Sequence, residues 1–173
     1  MARRPGRSAR EAELNRDVLT TYLNDHLAGS VAALELVDRL RELSQGTDRE
    51  QLFLSLREEI EEDQQILKLV LRSVGGKESK VRKAAAWLTE KIGEAKLELD
   101  DSGSGQLQLL EGLETLGLGI QGKLGLWRAL SAASSQDAEI GKLDLAHLER
   151  RAREQFERVE AARLRVARAA FGV

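Results

Sequence analysis

Apolar residues in this chain return at steps of three and four, and no proline after Pro5 interrupts them. That period lays one stripe along an α-helix, and without its strongest breaker the chain is free to build long ones. The stretch Tyr22 to Leu43 shows it best: Leu19, Tyr22, Leu23, Leu27, Val31, Leu34, Val37 and Leu40 fall on one face. Ala28, Gly29, Ser30, Ala32 and Ala33 run through its centre, and such small residues let a neighbouring helix approach closely. His26 lies three after Leu23 and four before Ser30, on or beside the stripe, with Asp25 at its margin. A polar pair on an inner helix face costs ~2 kcal/mol or more without partners, so another helix must supply a hydrogen bond, a charge or a metal. A satisfied structural histidine is the simpler reading of His26, and a ligand is the sharper one.

The apolar share of 42% is mostly Leu, Ala and Val, with only six aromatics, against 32% charged residues. With helical periodicity this predicts an all-α fold. A chain of 173 residues is one ordinary domain with a real core; we read 1–10 as a flexible basic tail and 11–173 as a single domain. The absence of cysteine excludes disulfides, thiolate metal sites and a cysteine nucleophile, and fits a reducing, cytoplasmic setting. No apolar run approaches the ~18 residues that span a bilayer, and the tail MARRPGRSAR lacks the apolar core of a secretory signal. Outside that tail 23 basic residues face 29 acidic ones. Such a balance argues against a general nucleic-acid binder, which works by neutralising phosphates.

Taken in order, Ser8-Ala-Arg-Glu11 matches a capping box that opens the first helix, which ends near Ser44 with Gly46 suited to a left-handed position. Thr47-Asp-Arg-Glu50 is a second capping box. The helix behind it carries Leu52, Phe53, Leu56, Ile60, Leu67, Leu71 and Val74, with a gap that Asp63 and Gln64 fill, and it stops at Gly75-Gly76. The short turn between them makes these two helices an antiparallel hairpin. Residues 78–96 read as a short accessory helix, with Val81, Ala84, Ala85, Leu88 and Ile92 on one face and Trp87 beside it. Asp100 to Gly105 is a loop, and the flanking LELD and QLQL alternate like strands. An extended excursion is preferred there over a two-stranded hairpin, which is marginal alone.

Residues 107–133 are helical despite Gly112, Gly117, Gly119, Gly122 and Gly125. Either these serve close packing, with Leu113, Leu116, Ile120, Leu124 and Trp127 inward, or they mark a kink. Asp144 caps a last helix with Leu145, Leu148, Ala152, Phe156, Val159, Ala162, Val166 and Ala170 inward and Gln155 on the border. Its seven arginines between Arg150 and Arg168 read mostly as partners of glutamates on the same helix, with a face for an acidic partner as the alternative.

Two helical hairpins joined by a long crossover that carries a short extra helix resemble the ferritin-like four-helix bundle, over about residues 11–171. In that family a Glu and a Glu-x-x-His on partner helices grip a di-iron centre. Here Glu62-x-x-Gln65, Asp144-x-x-His147 and Glu154-x-x-Glu157 are the nearest matches, Glu111 and Glu114 are the carboxylates of the third helix, and His26 and His147 are the only histidines. The resemblance therefore implies the fold without the oxidase or iron-storage chemistry. The expectation is a non-catalytic interaction or structural module that binds no cofactor and self-associates, its protein partner unknown, with no membrane or nucleic-acid role. The alternative is a metal-dependent enzyme whose site is Asp25, His26, Glu59 and Asp63, a donor set suited to Fe, Mn or Zn. Val74-Gly-Gly-Lys77 has the wrong spacing for a phosphate loop.

Overall fold

In the computed structural model, which describes residues 6–78 and 104–172, the chain is an all-α four-helix bundle. Its elements are α1 (Gly6–Glu42), α2 (Asp48–Ser73), α3 (Ser104–Ala133) and α4 (Leu145–Phe171). Two short 3-10 turns, Ser134–Gln136 and Ile140–Lys142, join α3 to α4. No strand occurs among the described residues. None of their helices is long and apolar enough to cross a membrane. The accessory helix expected at 78–96 falls almost wholly outside the described residues, as do LELD and Trp87.

The helix ends follow the sequence with three corrections. Helix α1 begins at Gly6, so Ser8 lies within it and not at its N-cap, and five residues of the expected tail are helical. QLQL belongs to α3, which starts at Ser104, so over 104–110 neither the preferred extended excursion nor the alternative hairpin forms. Helical hydrogen bonding along one stretch needs no second strand, whereas an isolated hairpin does. At Thr47 neither half of the capping box is made. Glu50 reaches back and accepts from the Gly46 amide at 3.0 Å, while the Thr47 hydroxyl donates to the Ser44 carbonyl at 2.7 Å instead of capping.

The close of α2 is a complete Schellman turn. The Gly76 amide donates to the Leu71 carbonyl at 2.8 Å and the Gly75 amide to Arg72 at 3.0 Å. Gly75 takes φ +79°, where a Cβ is strained. Asp144 caps α4 as expected, its Oδ1 accepting from the His147 amide at 2.9 Å.

Helix α1 packs on α2 and α3, and α4 packs on α3 and α2. The directions follow from which residues share a core. Leu40 meets Gly112 while Leu27 sits with Leu124, so α1 and α3 run antiparallel. Phe53 and Leu56 sit with Leu113, and Leu71 with Trp127, so α2 and α3 run parallel across the diagonal. The order is up, down, down, up. Helices α2 and α3 therefore start at the same end of the bundle, with residues 74–103 between them in sequence.

The interior divides into two apolar clusters along the axis. One holds Leu27, Leu67, Leu71, Leu124, Trp127 and Leu148; the other holds Val37, Leu56, Ile60, Leu113, Ile120 and Val159. Each large side chain buried there contributes roughly 1.5–3 kcal/mol. Leu36, Ala28 and Ala32 are buried in α1, and Val31 and Leu34, assigned to its stripe from sequence, are only half-buried. Helix α3 runs unbroken from Ser104 to Ala133. Of its glycines, Gly112 serves close packing most directly: a Cβ there would stand 2.6 Å from Leu40 Cδ2. A Cβ at Gly119, Gly122 or Gly125 would meet nothing within 4 Å, so close packing does not account for those three.

Candidate functional site: a polar layer and its cavity

Between the two apolar clusters every helix turns a polar residue inward. On α2 the break in the stripe between Ile60 and Leu67 brings Asp63 and Gln64 to the axis, and both are buried. On α3 Lys123 comes three after Ile120 and four before Trp127, which fixes its face. On α4 Arg151, Gln155 and Arg158 are spaced four and three apart and so form one row. On α1 Ser30 stands one turn beyond His26.

These side chains make a continuous network. The Lys123 ammonium donates to Asp63 Oδ2 at 2.5 Å and to Gln155 Oε1. Arg151 donates to the other Asp63 oxygen and, at 2.8 Å, to Glu62. Gln155 Nε2 donates to Glu59 at 2.9 Å, and Arg158 donates to the same carboxylate at 2.5 Å and to the Ser55 hydroxyl at 3.2 Å. Toward α1, Gln64 Nε2 donates to Ser30 Oγ at 3.0 Å while Lys68 donates to Gln64 Oε1 at 2.8 Å.

Burial and pairing compete at each charge. Burial pushes Lys123 below the ordinary lysine value, and the Asp63 carboxylate beside it works the other way. Burial alone raises the Glu59 carboxyl, but hydrogen bonds from Arg158, Gln155 and Ser55 outweigh it and hold Glu59 below the usual carboxylate value. Burial lowers the His26 imidazole, opposed by the Asp25 charge.

The four residues considered as metal ligands do not come together. Asp25 is exposed. His26 is half-buried and packs edge-on against Tyr22, ring centroids 4.6 Å apart. Glu59 and Asp63 share the interior, but Lys123, Arg151 and Arg158 already neutralise them. Among the described residues no group of three or more His, Asp or Glu side chains is placed to hold an ion. The donor set does not fit a di-iron centre: ammonium and guanidinium groups stand where metal cations would have to displace them. The other sequence matches point outward. Gln65, His147, Glu154, Glu157, Glu111 and Glu114 are exposed, and Glu62 is held at the rim by Arg151.

One expectation about α4 changes. Arg153–Glu149 and Arg163–Glu160 are pairs within the helix, but Arg151 and Arg158 reach carboxylates of α2, and Arg163 also reaches Glu114 of α3 at 3.3 Å. The row at 151, 155 and 158 therefore ties helices together. Lys123 was missed from sequence. Its signal was available: it is the only charged residue between Glu114 and Arg128, and it lies on the apolar face. Asn24 was missed too; its amide donates to the carbonyls of Thr20 and Lys77 and ties α1 to the segment after α2.

Beside the network lies a cavity of about 150 Å³, between α1, α2 and α3. His26, Ser30, Asp63, Gln64 and Lys123 give it a polar side, and Trp127 forms part of its apolar wall.

Fold and site together define a four-helix bundle with an ion-paired polar layer at mid-height and a small cavity next to it. No protein-family model, no curated protein and no solved structure matches the chain.

Proposed function

We propose that the chain is a ferritin-like bundle that acts as a non-catalytic interaction or structural module in the cytoplasm and associates with copies of itself. The up, down, down, up order with one long crossover supports the ferritin-like reading. The observation that carries the non-catalytic part is Asp63. Both of its oxygens are taken by cations from two other helices, at the place where a bundle of this kind would hold metal. A layer of that sort fixes the relative height of α2, α3 and α4, because sliding one helix by a turn would strand buried charges.

Self-association is supported by the outer face of α3. Leu118 is 75% exposed, and Gly122, Gly125, Ala129 and Ala132 continue its row in the open. Such a face is smooth and nearly free of charge in a chain that is 32% charged.

The second reading, a metal-dependent enzyme using Asp25, His26, Glu59 and Asp63, draws on one observation: His26 and Asp63 line the same cavity. Metal analysis after soaking with Fe(II), Mn(II) and Zn(II) and desalting separates the two. The expected result is no retained ion; a stoichiometric ion lost in His26→Ala would overturn the non-catalytic reading. Light scattering is expected to give a mass above the 19.2 kDa of one chain, and a monomer at all concentrations removes self-association.

A further inference from the structure

The cavity has unspent hydrogen-bond donors on its polar side. An ammonium has three donors. Asp63 and Gln155 take two of those on Lys123, and no acceptor among the described residues meets the third. The Trp127 indole N–H, on a side chain only 1% exposed, also has no partner there. On the acceptor side both Asp63 oxygens and the Gln64 amide oxygen already hold donors, which leaves the His26 ring and the Ser30 hydroxyl. Two cations thus meet the one buried carboxylate, with Glu62 reached only at the rim, and Lys123 keeps a donor that no described residue takes.

The remaining walls, including Ile60, Leu67, Leu116 and Ile120, are apolar. A cavity of about 150 Å³ with apolar walls is the size that accepts a single benzene ring. Gly29 and Gly119 line it and are themselves exposed, and a Cβ on either meets nothing within 4 Å, so they form an open rim between α1 and α3.

We propose that this cavity binds a small aromatic monocarboxylate, its carboxylate accepting from Lys123 and its ring lying against Trp127 and the aliphatic wall. The acid is favoured over an amine because an amine would have to displace Lys123 or Arg151 from Asp63. It is favoured over a neutral ring because a hydrogen bond to a charged donor adds to the apolar contact. This inference is independent of the metal question and goes beyond the proposed role.

The test uses benzoate, benzyl alcohol and benzylamine as probes, followed by calorimetry and by chemical shifts of the full-length protein. Benzoate is expected to bind one per chain and at least about tenfold more tightly than benzyl alcohol, the scale of a charged hydrogen bond. Lys123→Met is expected to lose that preference while still binding benzyl alcohol, which shows that the cavity is intact. Gly119→Leu, which leaves the ion pairs alone and improves helix propensity, is expected to close the rim and abolish binding of both. Benzoate binding no tighter than benzyl alcohol, equal binding to Gly119→Leu, or no binding of any probe at millimolar concentration would each overturn the proposal. Retained metal with normal benzoate binding would overturn only the non-catalytic reading.

Discussion

Replacing Asp63 with Asn changes one charge and almost no volume, and it isolates the energetic role of the polar layer. The Asp63 side chain is 4% exposed, and its partners Lys123 and Arg151 are 15% and 16% exposed. In the variant Arg151 keeps Glu62, which is 66% exposed at the rim. Lys123 keeps the Gln155 oxygen and at most the neutral amide oxygen of the new side chain, and becomes a buried cation without a counter-charge in contact. Breaking a buried pair from one side costs about 3–5 kcal/mol. With a urea slope near 2 kcal/mol per molar, the midpoint should fall by roughly 1.5–2.5 M, read by far-ultraviolet circular dichroism. Arg57→Gln is the control. Its bridge to Asp38 is 36% and 37% exposed, and such pairs contribute at most about 1 kcal/mol. A second variant, Asp63→Leu with Lys123→Met and Arg151→Met, removes the charges together. It should recover most of the loss, since well-packed apolar replacements of buried ion groups are often neutral or stabilising. If Asp63→Asn stays within about 1 kcal/mol of wild type, the stranded-charge reasoning is refuted.

Four further outcomes follow from the geometry. Gly75→Ala should destabilise by about 1–2 kcal/mol in urea melts, because φ +79° brings a Cβ against the following carbonyl. At dilutions where the chain is monomeric Gly122→Ala should stabilise by up to about 1 kcal/mol, since it adds helix propensity where a Cβ meets nothing of the same chain, and a loss there would refute the reasoning. Asp144→Ala should cost about 0.5–2 kcal/mol through the lost cap on the His147 amide. His26 has a folded-state pKa below 6.5, so the unfolded chain takes up its proton first. Its contribution is full above pH 6.5 and is lost as pH falls through the folded value, so wild type should lose stability on acidification from about pH 7.5 to 5.5 relative to His26→Gln.

Which residues form helices was legible because it depends on near neighbours. The three-and-four spacing of Leu113, Leu116, Ile120, Leu124 and Trp127 places them on one face whatever stands opposite, and all five are buried. The gap at Asp63 and Gln64 was legible for the same reason. The partners of Asp63 were not, because they lie 60 and 88 positions away and no local pattern links them. Sequence favoured histidine and carboxylate as metal donors from their identities alone. It had no means of seeing that a lysine in a glycine-rich helix would arrive at the same height.

The sequence by itself determined the all-α class, the two helical hairpins, the turn glycines and the Asp144 cap, because these rest on bonds and contacts within a few residues. Only the tertiary structure decided what the inner polar groups do. A buried carboxylate takes its chemistry from the charge that meets it, and here packing brings Lys123 and Arg151 to Asp63 and leaves Asp25 in solvent. The cavity likewise belongs to no single helix. It exists because α1, α2 and α3 leave space where Gly29 and Gly119 carry no side chain, and a void between helices is a property of their arrangement.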